Sequence, residues 1–362
     1  MIFFSIGLPG RLAQLCEAII EVLASTSGGS VGRLAWPSLD HMLGYHHLNL
    51  PLDELALHLI RDNCTHLVIG ARQPDDGLRQ ALAEANSRFI VVLDDPRHAV
   101  ADLMAETGAE SRAVTRAVAN SCPLLMRYAA MPGTLPIRPS DAEDIRKLAA
   151  AVAHHLQLPV DDAMLMQLAV DPAIAELRNA GGTAAMPSQI SDAERRTLDG
   201  ALAPYAECFA GAPMGRLLWT RDLFMIVGNA GTTLSEPLEA AGGARYLTYG
   251  PYIHLPPGSW NAQVVLGFSQ DTAGHTFLID ACADRQIAAT SFQPEGAGIY
   301  TIEINFSLGE PSGHGLEIRV MVVSERARGQ IAFGHVVLTP VALRHPDAAQ
   351  ADQQDFRAVL AL

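Results

Sequence analysis

The sequence predicts a chain in two parts, an α/β layer on a parallel sheet followed by an all-β antiparallel sandwich or jelly roll. Three observations carry this. Short apolar runs at Ile2–Ile6, His66–Ile69 and Phe89–Leu93 are each followed by apolar residues at helical spacing, the pattern of strands covered by helices on both faces. Near Pro213 the apolar period changes from 3.6 to 2. Beyond it, alternating stretches are separated by Gly and Pro clusters, as in sandwiches.

Taken in order, Ile2–Ile6 reads as a strand and Leu12, Leu15, Ile19, Ile20 and Leu23 as the buried stripe of the helix after it. His66–Ile69 reads as the second strand, leading to a helix with Leu78, Leu82 and Ala85. Phe89–Leu93 reads as the third. From about Ser140 the pattern is helical. Ser140-Asp141-Ala142-Glu143 and Ser191-Asp192-Ala193-Glu194 have the form of capping boxes, in which Ser and Glu satisfy amides at a helix start. The second opens a helix through Leu198, Leu202 and Tyr205 that ends near Gly211. Beyond Pro213, Trp260 to Phe268, Tyr300 to Leu308 and Leu316 to Val322 alternate as strands with one buried face. These readings divide the chain into 1–212, 213–343 and a tail, 344–362, expected to be a peripheral helix or partly disordered. Two separate cores are expected.

The chain has 362 residues, nearly half of them apolar, and a formal charge of −14. That length allows two ordinary domains. The charge disfavours nucleic acid and anionic membrane surfaces. Five widely spaced cysteines with no CxxC pair indicate free, buried thiols rather than a disulfide framework or zinc site. No basic residue precedes Gly7 and no apolar run approaches the roughly 20 residues of a membrane span, so a cytoplasmic address is expected.

The most informative segment is Ser87 to Leu103. Its apolar strand ends at Asp94-Asp95-Pro96, and Arg97, Ala99, Val100 and Leu103 then follow at helical spacing. It resembles the strand-loop-helix with which sulfotransferases hold the 3′-phosphate of their donor. In that family an Arg ends the strand, a Pro follows two residues later and a Ser stands eight residues after the Arg. Here Pro96 is kept, while Asp94 occupies the Arg position and Asp102 the Ser position. The resemblance covers roughly residues 1–210 and includes the late helix from Ser191. It implies a fold of sulfotransferase-like, P-loop type.

The resemblance also implies a phosphate-binding first turn. Here that turn is Gly7-Leu8-Pro9-Gly10-Arg11, with one basic residue, no Lys, Ser or Thr, and a proline that removes one amide donor. Replacing a paired Arg by Asp turns attraction into repulsion, each about 1 to 4 kcal/mol at contact distance. A loss of that order takes a micromolar ligand to millimolar. The residues of the implied donor site, Gly7, Gly10, Arg11, Asp94, Arg97 and Asp102, are therefore read as a degenerate site with no cofactor and no catalytic residue. His41, His46, His47 and His58 lie close in sequence, and adjacent His154 and His155 point about 100° apart on a helix. Neither set is read as a metal site.

Arg245 to Trp260 holds four aromatics in sixteen residues. The stretch resembles β-sandwich modules beside bacterial glycan-building enzymes and, more loosely, carbohydrate-binding jelly rolls. Trp260 is in phase with Ala262, Val264, Leu266 and Phe268, so it is expected in the core. Tyr252 and His254 are out of phase with Ile253 and Leu255, so they are expected outside. Tyr249, Tyr252 and His254 are the candidate glycan contacts. The expected function is a non-catalytic accessory or recognition protein of bacterial cell-envelope or exopolysaccharide synthesis, with a glycan, glycan precursor or partner protein as ligand. Two alternatives stand beside it: an active transferase of the sulfotransferase type acting on a glycan, and a structural adaptor.

Overall fold

A computed structural model describes residues 1–26, 28–36, 64–73, 76–179, 190–234, 237–309 and 315–341. The histidines at 41, 46, 47 and 58 and the tail 344–362 lie outside the described residues.

Strand β1 (Ile2–Gly7) runs into α1 (Arg11–Thr26), whose Leu12, Leu15, Ile19, Ile20 and Leu23 are all buried, as the stripe predicts. The second strand is β2 (Val31–Trp36), not His66–Ile69; the latter is the third, β3 (His66–Ala71). There follow α2 (Asp76–Glu84), β4 (Phe89–Val92), α3 (Pro96–Thr107), α4 (Ser111–Ala129) and β5 (Thr134–Ile137). The five strands form one parallel sheet in the order β2-β3-β1-β4-β5. The connection leaving β1 heads to one side of the sheet and that leaving β4 to the other. The crevice above their C-terminal ends is thus the point where the winding reverses, the usual ligand position in open α/β sheets.

The helical segment is α5 (Ile145–Leu156), α6 (Asp162–Ala169), α7 (Pro172–Asn179) and α8 (Asp192–Phe209). Ser140 does not cap the first of these. Residues Pro139–Glu143 make a 3-10 turn held by Asp141, whose carboxylate accepts from the Arg138 amide, and Asp144 caps α5 by accepting from the Lys147 amide. The box at Ser191 forms as read: its hydroxyl accepts from the Glu194 amide and the Glu194 carboxylate accepts from the Ser191 amide.

On one side of the sheet Phe3, Val68, Ile90 and Val92 pack against α1 and α5, with Leu168 and Ile174 below them. On the other side Phe4, Ile6, Ile69, Phe89 and Val91 pack against α3, α4 and α8.

Between Leu217 and Val341 the described strands pair antiparallel. In order come β6 (Leu217–Thr220), β7 (Met225–Ile226), β8 (Asn229–Thr233), β9 (Leu238–Glu239), β10 (Arg245–Tyr249), β11 (Pro251–Ile253), β12 (Gly258–Phe268), β13 (Phe277–Ala283), β14 (Arg285–Phe292), β15 (Gly298–Leu308), β16 (Leu316–Val322) and β17 (Gln330–Val341). One sheet is β15-β12-β17-β6 with β9 beside β17. The other is β14-β13-β16-β10-β7-β8 with β11 beside β16. They face each other through alternate apolar residues, and Phe268 of one lies 5.1 Å from Phe277 of the other, ring to ring. Trp260 is in this core, 2% exposed, with its indole N–H donating to the Pro256 carbonyl at 3.1 Å. The parity argument is met there.

The two expected cores are joined. One cluster of buried side chains runs from Phe89 and Tyr128 through Leu202 and Tyr205 to Leu217, Trp219 and the interior of the β sheets. Helix α8 lies against β6: the Thr197 and Thr220 hydroxyls meet at 2.5 Å, and a β-carbon on Gly200 would stand 2.6 Å from the Leu218 carbonyl oxygen.

Candidate functional site

At the reversal point of the parallel sheet, Gly7, Leu8, Pro9 and Gly10 are all buried. Glycine is required at position 7 by close approach, because a β-carbon there would meet that of Val92 at 3.0 Å. A β-carbon on Gly10 would lie 3.6 Å from Asp94 Oδ2 and 4.0 Å from Asp102 Oδ2. The fold therefore brings Gly10, Asp94 and Asp102 together. Arg11 is close enough to pull the Asp102 carboxyl down, yet burial is the larger effect and leaves Asp102 above the usual carboxylate range.

The sequence reading missed His98. Its Nδ1 lies 3.4 Å from Asp94 Oδ1, one helical turn apart. Hydrogen bonding to Asp94 raises the imidazole's pKa against the opposing effect of burial. The spacing of four residues was the available signal.

Arg97 does not face the crevice as a free cation. Its guanidinium spans both oxygens of Asp95, with Nη2 to Oδ2 at 2.6 Å and Nε to Oδ1 at 2.9 Å, and reaches Asp199 on α8 at 3.2 Å. Burial pushes the Asp95 carboxyl up, but its hydrogen bonds with Arg97 outweigh that and hold it below the usual range. Two amides at the start of α3 are likewise committed. The Asp95 N–H donates to Asp94 Oδ1 at 2.7 Å and the Arg97 N–H to Asp95 Oδ1 at 2.9 Å. A helix start normally offers such amides to an anion. Here side-chain carboxylates already fill that role.

The second cluster lies on the outward face of the sheet containing β16. Tyr249 and Tyr252 meet edge to face, centroids 5.9 Å apart at 77°. Tyr252 sits at φ 64°, a left-handed conformation costly for an aromatic residue. Its hydroxyl bonds Glu317; burial first, and that carboxylate second, hold the phenol well above its usual pKa. Tyr252 is half-buried between Pro251 and Ile253, both buried, so the alternation holds at this position. His254 is fastened to the helical layer. Its amide donates to Asn120 Oδ1 at 2.8 Å and its carbonyl accepts from the Tyr205 hydroxyl at 3.4 Å.

Further along the face, Asp280 and Arg319 stand directly opposite in register, as do Cys282 and Glu317. Arg319 bonds Asp280 through Nε and Nη2 and lies 4.8 Å above the Tyr246 ring. Asp280 is 1% exposed although it points outward from the sheet. Tyr246, Asp280, Glu317 and Arg319 were not singled out as site residues. Glu317 and Arg319 are the polar members of an alternating strand, and Asp280 is a lone acid among Phe277, Leu278, Ile279 and Ala281. Those were the signals. Cys16, Cys122 and Cys282 are buried free thiols, while Cys64 and Cys208 are half-buried.

No family model matches the chain, and no curated protein matches it. Among solved structures it is similar to a family 35 carbohydrate-binding module from Clostridium thermocellum, at 9% identity over 35% of this chain and 98% of that one, with a TM-score of 0.23. It is similar to the K1 cleaved adhesin domain of Lys-gingipain from Porphyromonas gingivalis W83, at 11% identity over 35% of this chain and 99% of that one, TM-score 0.23. It is also similar to the arabinose-bound α-L-arabinofuranosidase MgGH51, at 16% identity over 34% of this chain, TM-score 0.22; the chain spans 22% of that enzyme's length. At such TM-scores these likenesses neither fix a fold family nor carry a function to this chain. No helix among the described residues is long and apolar enough to cross a membrane.

Proposed function

We propose that this chain is a non-catalytic glycan-recognition protein whose ligand surface is the outward face at Tyr249, Tyr252 and Glu317, with the parallel-sheet layer serving as a scaffold. The observation that carries it is the tyrosine pair held edge to face beside a carboxylate. An aromatic ring covers the apolar C–H side of a sugar, and a neighbouring carboxylate accepts from its hydroxyls. Against transferase activity, Asp94 and Asp102 stand where the resemblance implies a phosphate-gripping Arg and Ser, and the carboxylates of Asp94 and Asp95 already accept from two amides at the start of α3.

The organisation we propose is a unit over 1–212, a glycan-binding unit over 213–343 and a tail, 344–362. The setting is bacterial cell-envelope or exopolysaccharide synthesis in the cytoplasm, where a protein that holds a saccharide without transforming it acts as an accessory. The test is a glycan array read with wild type, Tyr249→Ala and Tyr252→Phe, each with its melting temperature. Loss of binding in Tyr249→Ala at unchanged melting supports the reading. Binding unaffected in both variants, or absent in wild type, favours the adaptor alternative.

A further inference from the structure

The tyrosine pair continues to a third tyrosine, and the backbone that aligns the three bears on the length of chain the face takes; the point rests on the saccharide-binding reading above. Tyr246, Tyr249 and Tyr252 follow one another at intervals of three residues. In a regular strand, residues three apart point to opposite faces of the sheet. An unbroken strand would divide this set between core and solvent.

Two irregularities prevent that. On β10, Tyr246 pairs with Met321 and Thr248 with Val320, so Leu247 is an extra residue in the ladder. Leu247 and Thr248 are both buried, while Tyr246 and Tyr249 are half-buried. Such a bulge reverses the alternation beyond it and puts Tyr249 on the side of Tyr246. On β11, Pro251 pairs with Glu317 and Ile253 with Leu316, so Tyr252 is itself the extra residue. It takes φ 64°, a conformation that persists in a tyrosine only where the surroundings enforce it. The neighbouring chain closes in at that point: a β-carbon on Gly315 would collide with the Tyr252 carbonyl.

The resulting row is continuous. Tyr249 and Tyr252 meet edge to face. Arg319 joins them to Tyr246: its guanidinium lies 4.8 Å above the Tyr246 ring and is close enough for its charge to act on the Tyr252 hydroxyl. Asp280 holds that guanidinium through Nε and Nη2, so the Tyr246 end of the row is fixed before any ligand arrives. Met321 stands opposite Tyr246 and Glu317 opposite Pro251. Between them β16 advances about 14 Å, room for about three pyranose rings in line. A single sugar would cover only part of such a row.

We propose that Tyr246, Tyr249 and Tyr252, aligned by the irregularities in β10 and β11, form one binding row for a linear oligosaccharide of about three hexose residues, with Tyr246 at one end and Tyr252 at the other.

The experiment is calorimetric titration of the full chain with a ladder of β-1,4-linked glucose oligomers, from the monosaccharide to the hexasaccharide, or with the same ladder of whichever hexose ranks first on the glycan array. Each added ring contact is expected to tighten binding about two- to tenfold. Affinity should therefore climb as far as the trisaccharide and then level off, changing less than about twofold beyond it. In Tyr246→Ala the plateau should move down to the disaccharide, with the shorter ligands unaffected. Should that variant fail to fold, Tyr252→Gly supplies the same test from the other end, because glycine takes a positive φ without strain. A monosaccharide bound as tightly as the longest oligomer, or affinity that keeps climbing through the hexasaccharide, overturns the three-ring row while leaving saccharide binding intact. So does an equal loss at every length in the variant. Absence of binding at any length overturns the saccharide reading itself, and this inference with it.

Discussion

Arg319 grips the carboxylate of Asp280 through Nε–Oδ1 at 2.8 Å and Nη2–Oδ2 at 2.6 Å, on a face where charges would ordinarily be hydrated. The hydrogen bonds to Asp280 raise the pKa of the guanidinium, so it stays charged throughout the accessible range. Removing one partner strands the other in a nearly dry site. Arg319→Ala and Asp280→Ala are each expected to cost roughly 3 to 5 kcal/mol, whereas Asp280→Leu with Arg319→Met should recover most of it. Urea unfolding of the four proteins measures this, and near-additive single losses in the double variant would contradict it.

Gly200 marks a close backbone approach between α8 and β6. In a helix interior, Gly→Ala ordinarily stabilises by about 1 kcal/mol. Here the new methyl would stand 2.6 Å from the Leu218 carbonyl oxygen, so Gly200→Ala should destabilise by about 1 to 3 kcal/mol, as overpacking does. A higher melting temperature in this variant would show that the helix and the sheets can separate without cost.

The crevice above β1 and β4 predicts two pH effects of the same sign. Burial raises the Asp102 carboxyl above 3.8. Ionising it therefore costs the native state more than the unfolded state, a penalty absent below about pH 3.8 and fully developed above the folded value. Asp102→Asn should raise the melting temperature at pH 7, and the advantage should vanish near pH 3.5. His98 is raised above 6.5 by Asp94. Its contribution is complete below about pH 6.5 and fades as pH rises through the folded value, so His98→Ala should cost more at pH 5.5 than at pH 8.5. Thermal melts from about pH 3.5 to about pH 8.5 read both effects.

Adenosine 3′,5′-bisphosphate should not stabilise the chain in a thermal-shift assay at sub-millimolar concentration. Asp94 and Asp95 hold the amides, and Arg97 is bound to Asp95 and Asp199. A clear rise in melting temperature would restore the transferase reading.

The sequence was most legible where one face is buried and the other wet. Trp260 to Phe268 and Leu316 to Val322 alternate strictly in burial, so their strands and the inward Trp260 followed from parity alone. β2 and β5 escaped notice because they are the edges of the parallel sheet. Their burial is one-sided, so Val31–Trp36 is broken by Gly32 and Arg33, and Thr134–Ile137 carries Pro136, tolerated on an edge strand. Ser140 had the spacing of a capping box, but Asp144 lies nearer the helix and takes the cap. The site was half legible. The tyrosine pair sits within one stretch of sequence, whereas its partners Glu317, Arg319 and Asp280 come from strands paired only in three dimensions. The joined core was not legible, because a change of period marks where secondary structure switches and is silent on which helix packs across the switch.

The central claim, that the sandwich face binds saccharide while the parallel-sheet layer does not, is tested most directly by hydrogen–deuterium exchange of the full chain with and without a neutral oligosaccharide. Slowed exchange is expected in peptides covering 245–253 and 316–322, with no change over 7–11 and 94–102. Protection confined to 7–11 and 94–102 would contradict the account and move the ligand to the crevice above β1 and β4.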